Sequence, residues 1–338
     1  MSASIDFQPY LTALATAYKK WWKLYTLTDV EGKQRHLKDA PPIFDFGLMA
    51  QTVKEEREQQ QEAKVERFPV LEGIRNHTNQ HDKYTDRHVL LVGRPGSGKS
   101  TTLARLLFEE ATTNQARIPI LIELRYWQGL IEQLILNSFA RYGLRLTANQ
   151  LETVLSRSLI LFDGVNELPS EEAKFQLSSF RRNHLKLPMI FTTRDLSLGG
   201  DLGIEQKLEM LPLNETQMQA FIRVYVPEQA EVMLRQLRDR LREFGKTPLL
   251  LFMLCEVFQQ SPENQLPSNL AGVFQAFTNM YEVSSIRKHE VALLKGDVRP
   301  LSDRRLWKKA LTTLAAAMMQ GKTPVEFRLV VEREEAER

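Results

Sequence analysis

From Val89 to Ala111 an apolar run, a Gly-rich turn and a helix-spaced set of leucines follow one another without interruption. His88 to Val92 is a short Val- and Leu-rich run suited to a strand buried on both faces, and Leu103, Leu106 and Leu107 recur at helical spacing behind the turn. Further runs of strand character lie at 117–124, 159–162 and 189–193, with helix-compatible stretches at 127–142 and 170–184. Strands alternating with helices predict an α/β fold, a mostly parallel sheet flanked by helices. Past Leu213 the β pattern disappears. Helices are expected at 214–226, 228–244, 248–259, 269–284 and 303–320, with Gly245 closing one and Pro248 placed in the first turn of the next.

Ahead of this block, Phe7, Tyr10, Leu11, Leu14, Tyr18, Trp21 and Leu24 recur mostly three and four apart, an amphipathic helix over 5–26 whose aromatic face needs a partner. That partner is either the domain behind it or another protein. Residues 28–42 are polar and irregular, and 49–66 are almost wholly polar, which reads as an exposed helix or a flexible connector. The pattern divides the chain into an N-terminal helical and linker region (1–84), an α/β domain (85–213), a helical lid domain (214–300) and the start of a C-terminal region (301–338).

Composition narrows the classes. With 45 Lys and Arg against 42 Asp and Glu, the formal charge is +3 and the signs are interleaved, so charge alone does not call for nucleic acid. Cys255 is the one cysteine; it sits in an apolar run, excludes an internal disulfide and fits a reducing cytoplasm. No stretch approaches the roughly 18 apolar residues that span a bilayer, and the N-terminus lacks a secretory pattern, so no membrane partner is expected. His77 and His81 are four apart, but NHTNQHDK supplies neither Cys nor a clear continuing helix for a metal site.

The Gly-rich turn carries the chemistry. Gly93 to Ser100 satisfies G-x-x-x-x-G-K-[ST], the alternative being a surface turn between unrelated elements. Gly93, Gly96 and Gly98 are expected to let backbone amides turn onto phosphate oxygens. Lys99 supplies charge to the β- and γ-phosphates, and Ser100 a hydroxyl to Mg²⁺. Arg94, Pro95, Ser97 and Thr101 complete the expected nucleotide-binding set, and the helix opening near Ser100 aims its positive end at the same place.

A phosphate loop needs a carboxylate for Mg²⁺, and LILFDGVNEL places Asp163 at the end of a hydrophobic strand, where ligands gather in parallel sheets. Glu167 is either the group that orients or deprotonates the attacking water, or a surface acid of the next helix. Arg194 ends the strand MIFTT; it either contacts the γ-phosphate or pairs with Asp163, Glu167 or Asp195.

GRPGSGKST, LILFDGVNEL, FTTRD and KTPLLLFMLC, in this order, resemble the NACHT group of signal-transduction (STAND) ATPases, relatives of the AAA+ fold, over roughly residues 85–285. The resemblance implies ATP or ADP with Mg²⁺ as ligands. It implies that Lys99 and Ser100 bind phosphate and metal, Asp163 the metal, Glu167 the catalytic water and Arg194 the γ-phosphate, with Pro248 near the adenine. Asn166 stands where the family usually has an acid. Residues 1–84, around WWKLYTLTDVEGKQR, resemble the segment before NACHT modules in some bacterial proteins, and 321–338 stand where relatives continue into a winged-helix region. The expected function is an ATP-dependent switch with slow hydrolysis that signals through protein partners or self-association. The alternative, a nucleic-acid-associated ATPase, would draw on the basic stretches 181–186 and 235–242, which read better as solvated helix faces.

Overall fold

Apolar runs buried on both faces form the centre of the structure. Every residue of β3 (His88–Val92) and β6 (Met189–Thr193) is buried, as are the first five of β5 (Ser158–Asp163). The computed structural model describes residues 5–19, 47–53, 65–79, 86–113, 117–194 and 202–280. Expectations for residues 20–26, His81, Asp195, 281–284, the helix at 303–320 and the C-terminal 321–338 lie outside these. The chain divides into two units, 1–275 and 276–338; of the second, 276–280 are described and helical.

The sheet has seven strands. β3 lies between β6 and β7 (Lys207–Met210), β5 follows β6, and β4 (Ile118–Glu123) is outermost, all parallel. β1 (Met49–Thr52) runs antiparallel to β7, and β2 (Arg67–Pro69) antiparallel to β1, giving the order β2-β1-β7-β3-β6-β5-β4. Residues 49–52 are thus a strand and not part of a polar connector. Backbone bonding decides this: Ala50 is buried opposite Phe68 and Met210, the Thr52 amide donates to the Glu66 carbonyl at 3.1 Å and the Val53 amide to the Lys207 carbonyl at 3.0 Å, and the Gln51 side chain adds a bond to the Glu209 carboxylate at 3.0 Å. Both outer strands contain a proline. Pro69 leads directly from β2 into α2 (Val70–Thr78), and Pro119 lies inside β4.

Helices flank the sheet. α3 (Lys99–Thr112) packs on β4 and β5 and buries Leu103, Leu106 and Leu107, each worth roughly 1.5–3 kcal/mol of burial. The aromatic face of α1 (Gln8–Tyr18) is inward: Tyr10 is 4.8 Å from Phe139 of α4 (Ile131–Arg141), and its hydroxyl donates to the Pro119 carbonyl at 2.8 Å. α5 (Ala148–Leu155) is an element the pattern above does not include; the Thr147 amide donates to the Gln150 side chain at 2.9 Å ahead of buried Leu151, Val154 and Leu155. α6 (Glu171–Asn183) is capped by the Ser170 hydroxyl, which accepts from the Ala173 amide, with Glu171 and Glu172 favourable in its first turn.

An all-helical part follows: α7 (Glu215–Tyr225), α8 (Ala230–Gln236), α9 (Asp239–Gly245) and α10 (Pro248–Gln260). Asn214 and Gln217 form a reciprocal capping box at 2.9 Å, and the Gln217 side-chain NH2 donates to the Gly47 carbonyl at 2.7 Å, tying α7 to the start of β1. The single helix expected over 228–244 is broken. Arg238 is extended, and the Gln236 side chain bonds the Asn264 carbonyl and Leu266 amide, anchoring the loop that follows α10 at the break.

Candidate functional site

The loop after β3 turns on two left-handed glycines, Gly96 (φ +77°) and Gly98 (φ +98°). Gly93 is different. Its φ is not positive, and what bars a side chain there is space: a Cβ would lie 2.8 Å from the Ser97 hydroxyl and 2.9 Å from Met210 Cβ. The expected conformational role therefore applies to Gly96 and Gly98, and Gly93 serves close packing. Gly98 opens α3 without any side-chain cap, so the first-turn amides of α3 are left for an anion.

The Lys99 ammonium donates to the carbonyls of Gly93 at 2.5 Å and Arg94 at 3.2 Å, which folds it back along its own loop. Burial pushes its pKa down to about 8. The Asp163 and Glu167 carboxylates oppose the shift, and the Arg194 charge adds to it.

The ends of β5 and β6 supply the facing side. Asp163 Oδ1 accepts from the Thr192 hydroxyl at 2.6 Å, and that hydroxyl accepts from the Gly164 amide at 2.8 Å. Gly164 (φ +85°) starts a 3-10 turn, Val165–Glu167, which brings Glu167 to the cleft. The Arg194 guanidinium donates to Glu167 at 3.2 Å, and the Arg194 amide donates to the Asn166 side-chain oxygen at 3.2 Å. Among the described residues, Glu167 is the carboxylate with which Arg194 pairs. With the arginine side chain 54% exposed, such a pair is worth about 1 kcal/mol or less, weak enough to be exchanged for a stronger anion.

These groups border a cleft of about 320 Å³. Pro95, Gly96, Gly98, Lys99, Ser100, Thr101, Asp163, Glu167, Arg194 and Pro248 all line it. Gly93, Arg94 and Ser97 do not; the first two hold the lysine through their carbonyls, and the Ser97 side chain is buried against Gly93. The far wall is apolar. Phe221 and Tyr225 of α7 stack at 4.5 Å, Tyr225 meets Phe252 of α10 edge-on at 5.4 Å, and Leu48 and Leu249 complete it. Sequence reasoning named none of these five, nor Thr192. The short run at 189–193 ahead of Arg194 was the available signal for Thr192. The others look like ordinary core residues of helices and strands.

The lid and the loop touch directly. The Leu249 amide donates to the Gly96 carbonyl at 3.2 Å, and a Cβ on Gly96 would meet Leu249 Cβ at 2.8 Å. The donor set fits a metal-bound phosphate chain: a hydroxyl and a carboxylate, hard oxygen ligands of the kind Mg²⁺ takes, beside one ammonium and uncapped helix amides.

No helix among the described residues is long and apolar enough to cross a membrane. No curated protein matches the chain. Among solved structures it is similar to PCH-2 of C. elegans at 14% identity and a TM-score of 0.35, over 63% of this chain and 66% of that one. It is also similar to domain III of the Thermotoga maritima replication initiation protein DnaA at 12% identity and a TM-score of 0.36, over 62% of this chain and 90% of that one. The chain thus spans 66% of the PCH-2 chain it matches. Residues 87–229 match the family model of the NACHT domain, a span that holds the phosphate loop, the ends of β5 and β6, and α7. The loop, the carboxylates and the parallel sheet agree with that match: residues 87–229 are a NACHT domain, of the nucleotide-binding P-loop NTPase kind.

Proposed function

We propose that the protein is an ATP-dependent molecular switch, in which nucleotide held with Mg²⁺ between the sheet and the helical lid sets how the two meet, and slow hydrolysis resets them. The observation that carries this is the composition of the cleft. One wall comes from the phosphate loop and the strand ends, the other from α7 and α10 of the lid, and the loop and α10 share a backbone hydrogen bond. A ligand lodged there contacts both parts, so its chemical state can bias their arrangement.

In this reading Lys99 and the α3 amides hold phosphate, and Ser100 and Asp163 hold Mg²⁺, which supplies charge neutralisation to the phosphates when bound. Glu167 takes a proton from the attacking water. Arg194 leaves Glu167 for the γ-phosphate, which frees the carboxylate when ATP is present. Pro248 and the aromatic wall receive the base. The lid spans 214–300, signals pass to protein partners or a second copy, and the setting is a reducing cytoplasm. The basic stretches support the switch over a nucleic-acid ATPase, because Arg181 is buried and paired with Asp86 at 2.9 Å and Arg242 with Glu215 at 2.7 Å.

Hydrogen exchange over residues 214–259 should slow more with a non-hydrolysable ATP analogue than with ADP. Arg194→Ala should remove that difference while nucleotide still binds, since the arginine is the group placed to sense the γ-phosphate. Equal exchange in both nucleotide states would mean a static binding module.

A pH dependence follows from Lys99. Its folded pKa of about 8 lies below the ordinary lysine value, so the ammonium is present below pH 8 and is lost as pH rises through it. Phosphate binding favours the charged form, so binding in this range takes up a proton. Affinity should fall by up to roughly tenfold per pH unit between about pH 8.5 and about pH 9.5. Lys99→Arg should flatten the profile, because a guanidinium stays charged throughout. Calorimetry in buffers of different ionisation enthalpy reads the proton count, and a count of zero for the wild type would count against a titrating Lys99.

A further inference from the structure

Thr192 stands one step beyond the last paired residues of β5 and β6, Phe162 and Phe191. Its side chain is 1% exposed yet borders the cleft. Its hydroxyl is bonded in both directions: it gives its proton to Asp163 Oδ1 at 2.6 Å and receives the Gly164 N–H at 2.8 Å. The directions are forced, because an ionised carboxylate only accepts and an amide N–H only donates. One oxygen of Asp163 is thereby pinned, and the carboxylate plane is set. The restricted rotamers of a β-branched side chain on a strand hold the hydroxyl itself in place.

Two residues further along the same strand end, the Arg194 amide donates to Asn166 and the Arg194 guanidinium to Glu167. The end of β6 therefore grips the segment 163–167 at several successive points, and Asn166, whose carboxamide oxygen takes one of them, does so as an acceptor. A carboxylate in place of Asn166 is not needed for that contact, since a neutral amide oxygen suffices at 3.2 Å.

We propose that Thr192 is a positioning residue that presents the Asp163 carboxylate to Mg²⁺ and links it mechanically to the strand end carrying Arg194. This rests on the reading of Asp163 as the metal carboxylate. Groups that orient a metal ligand from behind commonly matter for metal affinity by 10- to 100-fold, so removing the hydroxyl should be felt mainly when metal is present.

The test is the affinity of the full chain for a non-hydrolysable ATP analogue, in excess Mg²⁺ and in EDTA, for wild type, Thr192→Val, Thr192→Ala and Thr192→Ser. Thr192→Val should lose at least roughly tenfold in the Mg²⁺ series, with the loss confined to that series, and Thr192→Ser should restore the gain from Mg²⁺. Thr192→Ala reports the same loss if the valine variant does not fold. A hydroxyl-free variant that keeps the full Mg²⁺ gain overturns the proposal, and so does an equal loss with and without metal, which would mark a structural role. A wild type that gains nothing from Mg²⁺ removes the reading of Asp163, and this inference with it.

Discussion

Replacing Lys99 with alanine should weaken binding of Mg²⁺ with ATP or ADP at least tenfold, a loss of about 1.4 kcal/mol or more. Among the described residues the ammonium is the one lysine charge lining the cleft, and charge-assisted contacts to phosphate are among the stronger hydrogen bonds a protein makes. The same group bonds the Gly93 and Arg94 carbonyls, so the substitution also removes a brace inside the loop. Melting temperature measured beside affinity separates the two effects, since a slack loop lowers both and a missing charge lowers affinity alone. Wild-type affinity in the alanine variant would contradict the assignment of this loop to phosphate.

Glu167→Gln should leave nucleotide binding near the wild-type level and reduce turnover by roughly a hundredfold or more, the usual scale for losing a general base. The amide keeps the shape of the side chain and an oxygen for the Arg194 guanidinium, now 3.2 Å from the carboxylate. It cannot take a proton from water. Single-turnover hydrolysis is the measurement of choice because slow product release would hide the effect in the steady state. Unchanged hydrolysis would take Glu167 out of the chemistry and leave it as the partner of Arg194.

The elements legible in the sequence are those whose environment is uniform. HVLLV and MIFTT are buried at every position, so their strands are continuous apolar runs with the boundaries found in the structure. β1 and β2 carry no such run. MAQT and RFP are short, lie at the antiparallel margin and are half solvated, so their side chains look like linker residues while their backbones bond to neighbours distant in sequence. β7 fails for a similar reason, with Glu209 exposed between buried Leu208 and Met210. The break between α8 and α9 has no proline or glycine to announce it; it follows from Gln236 bonding a loop 28 residues away.

The site divides along the same line. Lys99 and Ser100 were readable as cleft residues because the loop motif constrains neighbours in sequence, Asp163 because it ends a continuous apolar strand, and Gly96 and Gly98 because φ above zero favours glycine. Phe221, Tyr225 and Phe252 reach the cleft through the packing of α7 against α10, and nothing in a helix-spaced aromatic tells which partner it will face. Gly93 was readable as glycine by motif but not for its reason, which lies in Met210, more than a hundred residues away in sequence.

The prolines in the two outer strands bear on how copies of this chain meet at high concentration. Ile118 directs its amide to Arg157 beside β5, so Pro119 faces away from the sheet, and it has no N–H to offer there. Two outward carbonyls of β4 are occupied as well, that of Pro119 by the Tyr10 hydroxyl and that of Leu121 by the Ser138 hydroxyl. On the opposite margin Thr52 bonds Glu66 and Leu48 bonds Val70, which turns Pro69 outward in the same way. An unpaired strand margin is a template for edge-to-edge aggregation, and proline with capped carbonyls is a recognised way of disabling it. Strand addition is therefore opposed by an outward proline at each margin of the described sheet, which favours contacts between copies through side-chain surfaces, where shape and charge select the partner.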